Sequence, residues 1–153
     1  MAAYSGISEE NIRLALRRPW VSVGSDCEAA AAEPPFTDWP TRPCAYGAFA
    51  RVLGRYVRDG VLPLEEAVRR MTSLPAASLR LSGRGVIRDG AFAGLAILVP
   101  GEVRDRAAYG DPHQYAEGMR HVLVSGQVAS GDGKPSGVLA GRALRRVPAA
   151  ARR

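Results

Sequence analysis

The chain has 153 residues, 46% of them hydrophobic, 24% charged and 7% aromatic, which is enough for one ordinary domain with its own core. No apolar run reaches the roughly 18–20 residues that span a bilayer, so no membrane partner is expected, and residues 1–12 have neither the basic start nor the apolar stretch of a secretory signal. The net charge of +6 is no basic face: residues 1–60 hold seven arginines against seven acids and residues 61–133 eight against eight, leaving the excess to Lys134, Arg142, Arg145, Arg146, Arg152 and Arg153. Without aromatic side chains among them to stack on bases, no nucleic-acid partner is expected, and the tail reads as solvated.

Ser8-Glu9-Glu10 reads as a helix start, with a hydroxyl to cap free N–H groups and two acids against the positive helix end. Ile12 and Leu16 then share a face, and Pro19 stops the helix after Arg18. "WVSVGSD" follows as a strand, with Val21 and Val23 two residues apart and Asp26 on the turn that ends it. Residues 28–45 carry four prolines and no period, so they form a long loop, a kind of segment that often covers a functional site. "YGAFARVLGRYVRDG" turns helical, with Phe49, Val52, Leu53, Tyr56 and Val57 inward and Gly60 at its end. "PLEEAVRRMTSLPAASL" is a second helix with Leu64, Val68 and Met71 inward, broken at Pro75 before a last turn. From Gly83 the Gly and Asp-Gly punctuation between short apolar runs reads as a β-region. Within it "HVLVSGQVASGDG" forms a hairpin about Ser125-Gly126. The chain thus divides into residues 1–82, residues 83–133 and a basic tail, 134–153.

Cys27 and Cys44 have no nearby histidine, and their spacing fits neither a zinc ribbon nor a redox pair, so they read as two free thiols of a reducing, cytoplasmic setting. His113 and His121 are too far apart in sequence to grip one metal from a single helical turn. On local grounds alone, Asp26 reads more readily as a cap on its loop than as a catalyst.

Four stretches, "SEENIRLALRRPWVSVGSD", "YGAFARVLGRYVRDGVLPLEEAVRRMTSLPA", "RGVIRDGAFAGLAIL" and "YGDPHQYAEGMRHVLVSGQV", resemble in order and spacing the C-terminal part of N-acyl-D-amino-acid deacylases (D-aminoacylases) of the amidohydrolase superfamily. The resemblance implies an α/β fold: the C-terminal portion of a (β/α)8 barrel, with "VSVGSD" as its final strand, followed by strands of a small β-domain. Chemistry in such barrels sits at the C-terminal ends of strands. It further implies zinc-dependent hydrolysis of the amide bond of an N-acyl-amino acid, a small-molecule substrate. Asp26 would take a proton from a metal-bound water and return one to the departing amine.

The family's metal ligands match nothing in these 153 residues, and a full barrel needs about 250. The chain is therefore expected to be a fragment that lacks its N-terminal barrel segment, binds no zinc and is inactive alone. The alternative is a non-catalytic remnant or interaction subunit. Ser25, Arg42 and Cys44 are expected near the substrate. Arg42-Pro43-Cys44 stands where the family carries His-Pro-Arg, which places a fixed cation at the site mouth and removes a planar donor from position 44. Ala93-Gly94-Leu95 and Val124-Ser125-Gly126 depart from the family's Ala-Asp-Leu and Val-Asn-Gly.

Overall fold

The computed structural model describes residues 6–144. Helix α1 (Glu9–Leu16) starts as its sequence dictates: the Asn11 N–H donates to the Ser8 hydroxyl at 3.2 Å, with Glu9 and Glu10 in the first turn. Helix α2 (Cys44–Arg51) continues through a π-helical stretch, Val52–Tyr56, and ends at Gly60, whose φ of 67° only glycine adopts freely. Helices α3 (Leu64–Met71) and α4 (Ser73–Ser78) follow. The break between them falls at Thr72, not at Pro75. Pro75 sits inside the first turn of α4, where its missing N–H has no intrahelical partner to lose.

The second half is a four-stranded antiparallel meander: β1 (Leu95–Leu98), β2 (Met119–Val124), β3 (Gln127–Gly131) and β4 (Lys134–Pro135). The expected hairpin is present, with Ser125 and Gly126 both at positive φ (52° and 82°), the backbone that a two-residue turn needs. Asp132 and Gly133 repeat that geometry, so the meander gains β4 and takes in the first residues of the expected tail. Residues 83–94 contain no strand, so the β-region is narrower than its punctuation implies. Arg145, Arg146, Arg152 and Arg153 lie outside the described residues.

The core joins the two halves. Leu16, Ala50, Val52, Leu53, Tyr56, Val61, Leu62 and Ala67 are buried together with Val103, which comes from the connector after β1. Two expected inward residues turn outward: Phe49 is 45% exposed and Val68 41%. On α3 the places nearest the core go to Ala67 and Arg70, the two buried residues of that helix. The connector crosses α2 at Gly47 and Gly54; a Cβ at Gly54 would strike the Val103 carbonyl, and one at Gly47 the Asp105 carboxylate. Arg51 binds Asp105 between them at 2.6 Å, and Arg58 donates to the Val103 carbonyl at 3.1 Å.

A methyl group at position 54 meets backbone, which cannot rotate aside. Gly54→Ala is expected to cost about 1–3 kcal/mol in urea unfolding. Gly24→Ala, which meets nothing within 4 Å, stays within about 0.5 kcal/mol of the parent.

Candidate functional site

The segment that leads to Asp26 is held by α3. The buried guanidinium of Arg70 donates to the Leu16 carbonyl at the end of α1, and Arg69 Nη2 donates to the Pro19 carbonyl at 2.5 Å. The Arg70 carbonyl in turn accepts from the Val23 N–H at 3.1 Å. Glu66 organises both arginines, accepting from Arg69 at 2.6 Å and from Arg70 at 3.0 Å. Hydrogen bonds from Arg69, then from Arg70, hold the Glu66 carboxyl down at about 2. No sequence period marks this clamp, because Glu66, Arg69 and Arg70 read as an ordinary solvated i, i+3, i+4 charge pattern.

Residues 21–26 are not a laddered strand: among the described residues no other segment pairs with them, and the Val23 bond to Arg70 is their tie to α3. A strand needs a neighbour to exchange backbone bonds with, and among the described residues the strands pair only with each other. The turn that ends the segment is made by Asp26 itself, in the left-handed region at φ 53°, a conformation that short polar residues tolerate best. Gly24, two residues earlier, has no positive φ. The Asp26 side chain is 93% exposed.

Arg42 stands beside it. Its Nη2 donates to the Asp26 carbonyl at 2.6 Å and lies 3.4 Å from the carboxylate. The charges that Cys44, then Cys27, can carry, followed by the Asp26 contact, raise the Arg42 guanidinium above its ordinary value, so it is a permanent cation. Ser25 is half-buried next to Asp26. Cys44, the first residue of α2, touches Cys27 through sulfur at 2.6 Å, a contact that sequence spacing did not reveal. All of the expected site residues thus meet at one place: Ser25, Asp26, Arg42 and Cys44.

Beside them the loop of residues 28–41 lies against the start of α2 and borders an open cavity of about 120 Å³ lined by Glu28, Phe36, Trp39, Tyr46 and His113. Tyr46 anchors the loop by donating to the Ala31 carbonyl at 3.2 Å, and the Ala32 N–H donates to the Tyr115 hydroxyl at 2.9 Å. The rings of His113 and Tyr115 both pack edge-on against Tyr46. These braces come from a connector far along the chain, so only the folded molecule reveals them. Among the described residues no three His, Cys, Asp or Glu side chains gather as a metal site would require.

The model of the amidohydrolase family matches residues 3–130. The N-acyl-D-glutamate deacylase of Alcaligenes xylosoxydans xylosoxydans is 38% identical over 146 residues, covering 95% of this chain and 28% of that protein. A crystal structure of D-aminoacylase superposes with a TM-score of 0.82 at 36% identity, over 92% of this chain and 28% of that one. The N-acyl-D-glutamate deacylase from Bordetella bronchiseptica, solved with zinc and a phosphonate mimic of the tetrahedral intermediate, gives 0.72 at 35% identity, over 88% and 28%. The chain belongs to the amidohydrolase family. Its fold is part of the D-aminoacylase fold, and it spans 28% of the length of each of these relatives.

The clamp carries two expectations. Replacing Arg70 by Met keeps much of the buried stem and removes both donors, which should cost about 2–4 kcal/mol in urea unfolding and speed hydrogen exchange at the Val23 amide. The folded Glu66 carboxyl lies below its ordinary 4.5, so its contribution is complete above 4.5 and disappears as pH falls toward about 2. Across that window the parent should lose stability more steeply than Glu66→Gln, as urea midpoints taken along a pH series would record.

Proposed function

We propose that this chain carries the acid–base carboxylate of an enzyme that hydrolyses the amide bond of N-acyl-D-amino acids, releasing a carboxylic acid and the free D-amino acid. Asp26 is the proton shuttle. It takes a proton from the water that attacks the amide carbonyl, as the new C–O bond forms. It then gives a proton to the nitrogen as the C–N bond breaks, because an amine leaves poorly unless protonated. The observation that carries this reading is the placement of Asp26: an exposed carboxylate at the end of a segment held by α3, on a fold shared with D-aminoacylase.

Arg42 and Ser25 are assigned to the substrate side. The Arg42 guanidinium, fixed on the Asp26 backbone, presents its remaining donors toward any anionic group that approaches, and the carboxylate of an acylated amino acid is one such group. Cys44 faces Cys27, so its place is at the edge of the site.

Zinc is present in the related N-acyl-D-glutamate deacylase. The described residues of this chain do not fit a resident zinc: they offer no cluster of three ligands, and the Asp26 carboxylate stands alone. We therefore assign any metal ligands to sequence outside this chain, and with them the ability to turn over substrate. A cytoplasmic setting is proposed for the assembled enzyme.

A chimera tests the assignment. Residues 1–144 would replace the matching portion of D-aminoacylase, and release of the D-amino acid from an N-acetyl-D-amino acid would be followed. The chimera is expected to turn over. Asp26→Asn, which keeps the left-handed turn, should lower kcat by about 10²–10⁴ with the bound metal unchanged. Unchanged kcat in that variant would show that Asp26 transfers no proton, whereas a chimera that folds and binds metal but never turns over would favour the non-catalytic subunit.

A further inference from the structure

We propose that Cys27 and Cys44 form a reversible dithiol–disulfide site that closes the loop between the Asp26 turn and the start of α2. The inference holds whether or not Asp26 transfers protons. The two sulfurs already touch across the loop, 2.6 Å apart. Cys27 directly follows the left-handed residue Asp26, and Cys44 is the first residue of α2, so both backbones are fixed by structure outside the loop. Both side chains are half-buried, which leaves them reachable by a small reagent. No third metal-binding side chain joins them among the described residues, so a thiolate metal site does not compete for the pair.

The exchange balances with a small-molecule disulfide, such as oxidised glutathione, as the oxidant. One protein thiolate attacks a sulfur of the reagent, forming a mixed disulfide and expelling one glutathione thiolate. The second protein thiolate attacks the protein sulfur of that mixed disulfide and expels the other. The pair loses two electrons to the reagent and two protons to solvent, and dithiothreitol reverses the sequence. Burial, reinforced by the Cys44 sulfur, pushes the Cys27 thiol up to about 11, while the nearby Arg42 guanidinium opposes that rise. The Cys27 thiol therefore stays protonated at neutral pH, and exchange through it is best driven under alkaline conditions.

The bond would join the two ends of the loop that borders the cavity lined by Glu28, Trp39, Tyr46 and His113. In a reducing compartment the pair is held as thiols, and a shift of the glutathione pool toward its oxidised form closes it. Position 44 is also where the family resemblance expects arginine, so the pairing is a property of this sequence.

The test uses the full 153-residue chain in alkaline glutathione redox buffers, quenched by alkylation. Cleavage at Glu28 or Glu33, which lie between the cysteines, leaves peptides joined only by the bond. The expected result is an internal cross-link with both thiols unreactive to alkylation, restored by dithiothreitol. Its effective concentration should be at least tenfold higher than in the same chain unfolded in urea, where a flexible loop gives a value in the mM range. Cys27→Ser and Cys44→Ser should each carry one glutathione instead of the bond. Glutathione adducts on both cysteines of the parent would overturn the proposal. So would cross-linked dimers, or an effective concentration no higher folded than in urea.

Discussion

One cluster, the Glu66 carboxylate with the Arg69 and Arg70 guanidiniums, fixes how the chain runs from its first helix to its candidate site. Arg70 is a buried cation, which only a close carboxylate and hydrogen-bonded carbonyls make tolerable. Once satisfied, it binds the end of α1 and, through its own carbonyl, the backbone that delivers Asp26. The position of Asp26 is therefore set from α3, across a gap in sequence longer than the loop the carboxylate borders.

A second constraint acts from the other side. The connector after β1 contributes Val103 to the core, crosses α2 over Gly47 and Gly54, and is pinned there by Arg51 and Arg58. The same connector carries His113 and Tyr115 to the face of Tyr46, so the loop that borders the candidate site is braced by the half of the chain that also bears the sheet. The two halves differ in their degree of burial: the helical half holds most of the core, while Ile97 and Val128 of the sheet are almost half exposed.

The site itself combines a solvent-facing carboxylate with a permanent cation and a pair of touching thiols. Arg42 restrains the Asp26 turn mainly through its backbone carbonyl, which leaves the carboxylate oxygens largely open. Such an arrangement suits a group that must reach a substrate and pass a proton in both directions.

The sequence by itself determined the elements whose signals are local: the Ser8 cap, the Gly60 stop and the hairpin at Ser125-Gly126. Each depends on residues close together in the chain, where capping, left-handed φ and short-range periodicity act. Tertiary structure alone decided the rest. It buried Arg70 in place of an apolar residue, turned Phe49 and Val68 outward, made Asp26 the turning residue, and brought Cys27 against Cys44. Those outcomes depend on which surfaces meet in space, and a linear pattern of polar and apolar residues does not encode that pairing.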